Sequence, residues 1–349
     1  METLVASSAL LAFVALTPSA LQPPQGTPPI RFQVNVLDSL GNIHDGPREE
    51  AVAINEKGET VGSVCYGYAS LAAHWSPDGE LTLLSTPQAG GDSFACDINE
   101  DGTVVGYAIA DAAPQAFLWT ANTGKVPLSL PSRAVPLAIN DAGTIAYSYP
   151  SATTLAAALW SASTGTLPVG GLAGDLLVRD VSVDHSVVGI AGGAGLPARA
   201  FRWNLGGGMV ELGVPPGFLH SHGNAINDHG FVVGLSRAEE RDQATRWAGT
   251  SAPVLLAYVR AGDTQSAALA VNNKGWVVGI EFADDASLDE SIAVLWIVDT
   301  PHDLNQLLKL PAYEPDLRVT CALDVNDQGQ IAARGLVNGV ERALRLDPQ

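Results

Sequence analysis

Positive charge is scarce in this sequence. It has 18 lysines and arginines against 37 acidic residues, and its formal net charge is −19. A nucleic-acid-binding protein needs a basic face for the phosphates, and this composition argues against one. The same shortage disfavours adsorption to anionic membranes. Charged residues of both signs make up only 16% of the chain and apolar residues 46%, so we expect a folded domain rather than a disordered chain.

The apolar run near the N-terminus is also short. Residues 4–16 are uncharged and mostly apolar, which is too short for a bilayer span but typical of the core of a secretory signal. We therefore predict a signal peptide over 1–22, a proline-rich linker over 23–30 and one domain over 31–349. The segment before the apolar run carries Glu2 and no lysine or arginine, which is unusual for a signal peptide. We expect a secreted or periplasmic protein with no membrane span after signal removal.

One phrase occurs seven times between residues 51 and 346. Its clearest copy is Ile98–Gly106, followed by Ala116–Trp119. The first residue of the turn recurs every 41 to 54 residues, at Asn55, Asn99, Asn140, Ser182, Asn227, Asn272 and Asn326. A period in the forties with several strand signals per unit is typical of a β-propeller blade.

Each copy predicts four strands. Asn-x-x-Gly suits a tight turn between the first two strands, in which glycine supplies a positive φ. The third strand ends in tryptophan in six copies and in Leu346 in the last. An alanine stands three residues before each of these positions, at Ala72, Ala116, Ala157, Ala200, Ala244, Ala293 and Ala343. We expect this alanine to receive the large side chain of the neighbouring blade.

The two ends of the chain complement each other. The seventh copy stops after its third strand, while residues 31–37 form an extra strand before the first copy. The prediction is therefore an all-β, seven-bladed propeller of four-stranded antiparallel blades, with the N-terminal strand outermost in the last blade and closing the ring. A parallel β-solenoid is the alternative, although its coils are usually much shorter.

Cysteine usage leaves two alternatives open. Cys65, Cys96 and Cys321 are too few for a disulfide scaffold. Cys65 lies in the first copy and Cys96 in the second, so a bond between neighbouring blades is one alternative. We favour the other, in which all three are small buried apolar side chains.

The repeated phrase resembles the HAF family of extracellular repeat proteins, which is named for a His-Ala-Phe triplet. The best matches are residues 115–119 and 199–203, and residues 303–308 with 325–331 are similar to the C-terminal part of such proteins. No copy here has histidine before Ala-Phe. The resemblance implies a secreted bacterial propeller of unknown biochemical role and supplies no catalytic residues.

The loops between second and third strands are the predicted binding region. Those of copies five and six are long and charged, and they lie on the same rim of the propeller. Loop residues carry function more often than tight turns do. The candidate binding residues are Arg237, Glu239, Glu240, Arg241, Glu281, Asp284, Asp285, Asp289 and Glu290.

A second candidate site is the central channel. Asp97, Asp180 and Asp324 stand two residues before the turn residue of their copies, on strands that line a propeller's channel. They could form a carboxylate lining or a cation site, but hydrogen bonding to backbone at a narrow, partly buried place is the favoured role. His220, His222 and His229 cannot share one ion, because a strand separates the third from the first two. We expect no metal and no cofactor.

Three functions remain. The favoured one is a secreted, monomeric, non-enzymatic binding module that recognises an extracellular protein or glycan through the loop-rich rim. The second is a hydrolase or lyase at the channel mouth. The third is a structural envelope protein without a discrete ligand.

Overall fold

The computed structural model describes residues 30–40, 49–84, 91–193, 195–249, 251–283, 290–310 and 316–349. The predicted signal peptide, and the linker up to residue 29, lie outside these residues. Within them, no helix combines the length and the apolar composition that crossing a membrane requires.

The regular secondary structure of the described residues is almost entirely β-strand. Its helix, α1 (Leu304–Leu307), is a single turn capped by the Asp303 side chain, which accepts a hydrogen bond from the Asn305 amide. The strands are β1 (Phe32–Val36), β2 (Glu50–Ile54), β3 (Thr60–Tyr66), β4 (Ala69–Trp75), β5 (Leu81–Leu83), β6 (Ser93–Ile98), β7 (Val104–Ala110), β8 (Ala113–Thr120), β9 (Gly124–Pro127), β10 (Val135–Ile139), β11 (Ile145–Pro150), β12 (Leu155–Ser161), β13 (Gly165–Val169), β14 (Asp175–Val181), β15 (Val187–Gly193), β16 (Leu196–Asn204), β17 (Gly208–Glu211), β18 (His220–Ile226), β19 (Phe231–Arg237), β20 (Asp242–Ala248), β21 (Val254–Leu255), β22 (Gln265–Val271), β23 (Trp276–Phe282), β24 (Ile292–Ile297), β25 (Thr300–Asp303), β26 (Leu308–Lys309), β27 (Leu317–Val325), β28 (Ile331–Val337) and β29 (Val340–Pro348).

The strands pair repeat by repeat. Repeats 1 to 4 are four-stranded antiparallel sheets in chain order, formed by β2–β5, β6–β9, β10–β13 and β14–β17. Repeats 5 (β18–β21) and 6 (β22–β25) have the same order, and one parallel bridge between Asp242 and Gln265 joins them into a single sheet. Repeat 7 contains β27, β28 and β29. The fold is an all-β propeller.

The N-terminal strand pairs with the C-terminal one. β1 lies antiparallel to β29, with Phe32 opposite Pro348 and Val36 opposite Leu344. The prediction placed β1 outermost in this sheet, and that detail is wrong. The two-residue strand β26 lies beyond β1 and pairs with it in parallel, through Phe32 and Leu308. The residues that follow α1 therefore cover the edge that β1 exposes.

The Asn-x-x-Gly turns form as their residue types predict. In repeat 2, the Asn99 Oδ1 accepts hydrogen bonds from the amides of Asp101 and Thr103, at 3.1 and 2.9 Å. Gly102 has a φ of +76°, which a residue without a Cβ adopts at little cost. Repeat 4 lacks both residues. There Asp184 accepts from the Ser182 hydroxyl, and His185 takes a φ of +62°.

The turn asparagines also connect successive repeats, through what we call the amide ring. The side-chain amide of each asparagine donates to the backbone carbonyl of the next turn residue. The donor and acceptor pairs are Asn55 and Asn99, Asn99 and Asn140, Asn140 and Ser182, Asn227 and Asn272, Asn272 and Asn326, and Asn326 and Asn55. The last pair joins repeat 7 to repeat 1. Six of the seven junctions therefore carry this bond, and the junction after Ser182 lacks it.

The recurrent alanines lie between repeats, as predicted. Each falls in one hydrophobic cluster with the large side chain that ends the third strand of the following repeat. The pairs are Ala72 and Trp119, Ala116 and Trp160, Ala157 and Trp203, Ala200 and Trp247, Ala244 and Trp296, Ala293 and Leu346, and Ala343 and Trp75. The core is thus divided into similar seams between repeats rather than gathered in one central cluster.

Ala200→Leu tests the seam. Ala200 and Trp247 are almost completely buried, at 0% and 2% exposure, so added methylenes must displace packed atoms. We expect a loss of about 1–3 kcal/mol in the free energy of unfolding, measured by urea denaturation. Ala116→Leu, at the equivalent but partly exposed position in repeat 2, is the control and costs less. Equal stability of Ala200→Leu and the wild type would contradict the packing argument.

Asn99→Ala tests the amide ring. The change removes three hydrogen bonds, and the Asn140 carbonyl then keeps only the bond from the Gly143 amide. At about 1 kcal/mol per bond, we expect a loss of about 3 kcal/mol in unfolding free energy. Asn122→Ala, at an exposed turn position, is the control and is expected to change stability by less than about 0.5 kcal/mol. A similar loss in both variants means that the ring contributes no specific stability.

Candidate functional site

The two rims of the propeller differ in their connections. One rim carries the Asn-x-x-Gly turns and the turns between third and fourth strands, and we call it the turn rim. The other carries the connections between second and third strands and those between repeats, and we call it the loop rim. Residues 99–102 lie on the turn rim and residues 238–241 on the loop rim. The predicted binding residues belong to the loop rim.

Two side-chain contacts hold the loop of repeat 5. Arg237 forms two hydrogen bonds with the Asp242 carboxylate, at 2.7 and 2.5 Å, across the base of the loop. The Arg241 guanidinium lies 4.6 Å from the centre of the Phe218 ring. Two predicted binding residues are therefore occupied in supporting the loop. Between them, Glu239 and Glu240 line an open depression of about 490 Å³.

Glu281 does not belong to a solvated loop, contrary to the prediction. It lies in β23 and is completely buried. Its carboxylate accepts hydrogen bonds from the amides of Val259 and Arg260, both at 2.7 Å. Burial, together with a shared hydrogen bond to Asp263, raises the pKa of Glu281 to about 7. Its role is to hold the connection between repeats 5 and 6.

Of the other predicted acids of repeat 6, one lies within the described residues and three lie outside them. Glu290 is described and exposed, at the end of the connection between β23 and β24. Asp284, Asp285 and Asp289 lie outside the described residues. Of the exposed predicted acids in the described part of the loop rim, Glu239 and Glu240 lie in repeat 5 and Glu290 lies in repeat 6.

A ring of bulged residues surrounds the central channel. Each of the seven innermost strands has a break in its pairing register three residues before the turn residue, and the residue in the break faces the channel. A β-bulge redirects a side chain in this way. The bulged residues are Val52, Cys96, Leu137, Arg179, Asn224, Leu269 and Leu323. They line a cavity of about 130 Å³.

The sequence interpretation missed this ring. Its signal is the position three residues before each turn residue, which is apolar in most copies but Arg179 in repeat 4 and Asn224 in repeat 5. The Asn224 side chain donates to the Ala268 carbonyl of the next repeat, at 2.9 Å. Arg179 is the basic residue of the channel lining, and burial lowers its pKa. The ring thus combines five apolar residues with Arg179 and Asn224.

Asp97, Asp180 and Asp324 also line this cavity, directly after the bulges. Each carboxylate accepts one hydrogen bond from the amide of its own next residue and one from an amide of the following repeat. The donors are Ile98 and Ile139 for Asp97, Val181 and Ile226 for Asp180, and Val325 and Ile54 for Asp324, at 2.6 to 2.9 Å. These carboxylates therefore bridge repeats 2 and 3, 4 and 5, and 7 and 1.

Burial is the main cause of the raised pKa values of these three carboxyls. It raises the pKa of Asp180 to about 6 and that of Asp324 to about 7, against the lowering effect of the amide donors. The pKa of Asp97 also lies well above its ordinary value, mainly through burial and partly through the other two carboxylates. A raised carboxyl pKa is a property that a general acid needs, although here both oxygens of each carboxylate accept backbone hydrogen bonds.

Histidine and cysteine form no further site within the described ranges. His220 accepts a hydrogen bond from the Ala198 amide, and His229 lies in the turn at the opposite end of β18. No group of three or more metal-binding side chains occurs there. All three cysteines are described and none forms a disulfide, so the Cys65–Cys96 bond is not present. Burial raises the pKa of Cys96 and Cys321 to about 12.

Several solved structures share this fold. The β-propeller domain of the Trilobed protease from Pyrococcus furiosus matches with a TM-score of 0.54 at 10% identity, over 72% of this chain and 79% of that one. A virginiamycin B lyase from Staphylococcus aureus matches with 0.53 at 12% identity, over 91% and 99%. TolB from Acinetobacter baumannii matches with 0.52 at 10% identity, over 69% of this chain and 61% of TolB, less than two thirds of its length.

These likenesses support the propeller fold and, at such low identity, nothing further. No family model matches the chain, and no curated protein matches it. The resemblance to the HAF family therefore stays a prediction.

The channel carboxyls predict a pH dependence of stability. The folded-state pKa of Asp324 is raised from 3.8 to about 7, so the folded protein binds a proton that the unfolded chain releases. The contribution of Asp324 to the free energy of unfolding is therefore fully present below about pH 4 and is lost as the pH rises through about 7. We expect the unfolding free energy of the wild type, minus that of Asp324→Asn, to decrease between pH 4.5 and pH 8. Asp101→Asn, at an exposed carboxylate, is expected to show a flat difference. An increase for Asp324→Asn would show that the sign is wrong.

Proposed function

We propose that this protein is an exported, seven-bladed propeller, closed through β1, that acts as a monomeric, non-enzymatic binding module. The contacts between repeats 7 and 1 support the closure. The Asn326 side chain donates to the Asn55 carbonyl at 2.9 Å, and the Asp324 carboxylate accepts from the Ile54 amide at 2.9 Å. Ala343 and Trp75 share a buried cluster. The same three types of contact link other neighbouring repeats, so repeats 7 and 1 pack as neighbours do elsewhere.

The preorganised loop of repeat 5 carries the proposal. Arg237 with Asp242, and Arg241 with Phe218, hold the loop from both sides. The exposed Glu239 and Glu240 are thus presented on a supported segment, which reduces the entropy lost when a partner binds. Two adjacent carboxylates favour a partner with basic groups, so we favour an extracellular protein with a basic surface over a neutral glycan.

A hydrolase or lyase at the channel mouth is the second candidate, and one structural neighbour is a lyase by name. The raised pKa values of Asp97, Asp180 and Asp324 favour it. Against it, each carboxylate already accepts two backbone hydrogen bonds, so a substrate would have to compete with the contacts between repeats. A structural envelope role is the third candidate.

Charge removal at the loop tests the binding function. Fluorescently labelled wild-type protein is titrated onto intact cells of the source organism and onto a glycan array. We expect saturable binding to cells that weakens with added salt, because exposed charges are screened. Glu239→Gln/Glu240→Gln is expected to weaken it about tenfold. The control, Asp78→Asn/Asp101→Asn, removes two exposed charges from the turn rim and is expected to bind like the wild type.

The outcomes separate the candidates. Equal binding by the loop variant and the control excludes the loop of repeat 5, and absence of binding to cells and array alike favours the structural role. The variant Asp97→Asn/Asp180→Asn/Asp324→Asn is expected to keep cell binding if it folds. A turnover that this folded variant loses would establish the enzyme instead.

A further inference from the structure

The turn rim has two junctions at which no side chain covers the turn glycine, and the one at Gly275 has no explanation in residue size. At most junctions, a side chain of one repeat packs close to the turn glycine of the next. Added Cβ atoms at Gly58, Gly230 and Gly329 would lie 2.8 to 3.1 Å from Gln330, Arg202 and Trp276, respectively. Nothing lies within 4 Å of such an atom at Gly275, in repeat 6.

Gly275 is not open because the residue of repeat 5 that could cover it is too small. The residue that follows the turn in repeat 5 is Phe231, at the same position as Trp276, which covers Gly329 in the next junction. Gly143 is also open, but there the equivalent residue is the small Thr103. Phe231 could reach across and does not, and 39% of it is exposed. An exposed phenylalanine beside an open glycine leaves an uncovered apolar surface.

The result is a groove between repeats 5 and 6. Its volume is about 460 Å³, within the range of small-molecule sites. Its walls are mainly apolar, with Phe231 and Val233 on one side and Val271 and Val277 on the other. Arg246 and Asp299 close one end by two hydrogen bonds between their side chains, at 2.6 and 2.7 Å.

The mouth of the groove carries basic groups. Lys274 and His229 both line it, from the turns of repeats 6 and 5. Neither side chain makes a hydrogen bond or ion pair with another residue of the described ranges, and both are exposed. The Arg246 charge is balanced by Asp299, so Lys274 leaves the groove with a net positive charge. This contrasts with a net charge of −19 for the whole protein.

Strained backbone lies at the edge of the same groove. Val298 and Asp299 form the tip between β24 and β25, with φ values of +48° and +62°. A β-branched residue rarely adopts this left-handed conformation, and such strain persists where surrounding contacts enforce it, often at ligand sites. Here the bond from Asp299 to Arg246 holds the tip. Val298 stays 78% exposed beside the groove.

We propose that this groove binds a small amphipathic anion, with its flat apolar part against Phe231 and its anionic group at Lys274. The apolar walls, the uncovered ring and the unbalanced lysine are the complement of such a molecule. The site lies on the turn rim, opposite the loop of repeat 5. It is therefore independent of the binding function proposed for the loop rim.

Fluorescence titration of the purified protein with 1-anilinonaphthalene-8-sulfonate tests the site, since this probe is a flat apolar anion. We expect saturable binding at one site. Phe231→Thr, which installs the residue found at Thr103 and Thr144, is expected to weaken it at least tenfold. Ala248→Phe, which fills the groove, is expected to weaken binding to the same extent. It serves as the test if Phe231→Thr does not fold. Lys274→Gln is expected to weaken it about tenfold, the effect of losing one charge-assisted hydrogen bond.

Two controls make the result specific. Lys57→Gln removes the lysine at the same turn position in repeat 1, where its ammonium donates to the Glu100 carbonyl, and is expected to change probe affinity less than twofold. The neutral probe N-phenyl-1-naphthylamine is expected to bind wild type and Lys274→Gln alike. Thermal unfolding of each variant checks that it is folded. Absence of saturable binding, or wild-type affinity in folded Phe231→Thr and folded Ala248→Phe, overturns the site. Equal effects of Lys274→Gln and Lys57→Gln overturn the role of Lys274.

Discussion

The hydrogen bond from each turn asparagine to the carbonyl of the next turn residue sets how successive repeats meet. Each acceptor is a turn carbonyl that also accepts from an amide of its own turn, so the asparagine of the neighbouring repeat gives it a second hydrogen bond. Asparagine serves both the turn and the junction, because its side-chain oxygen closes its own turn while its side-chain amide donates to the neighbouring repeat. One residue type thus specifies the local turn and the position of the adjacent sheet, as Asn99 illustrates.

Two further sets of contacts reinforce the junctions. Residues that follow the turn asparagine bond across the same gap, as when the Glu100 amide donates to the Asp141 carboxylate at 3.0 Å. The half-buried Asp97, Asp180 and Asp324 add a bridge at three junctions. After Ser182 the amide bond is missing, but the Val183 amide still reaches Asp228, and Asp180 bridges the same pair of repeats. Loss of one contact is compensated because the others act between the same two sheets.

Such redundancy allows single junctions and loops to diverge. The junction between repeats 5 and 6 keeps its amide bond, from Asn227 to Asn272, although Phe231 leaves Gly275 uncovered. The loop of repeat 5 can carry exposed acids because Arg237 and Asp242 close its base. The proposed binding regions are thus places where side chains depart from the repeat while the backbone contacts persist.

The sequence alone determined the repeats, the turns and the alanine seams. These depend on residue type at fixed spacing: Asn99 and Gly102 make a turn by themselves, and Ala200 faces Trp247 because strand residues alternate. The strand at residues 32–36 and its place beside the last repeat were also predictable. Only the tertiary structure decided the rest. The channel ring arises from bulges, which exist only when two strands are paired, and Glu281 is buried because a distant connection folds over it. The groove at Phe231 depends on which way one side chain lies between two sheets, a choice made by packing across residues far apart in the chain.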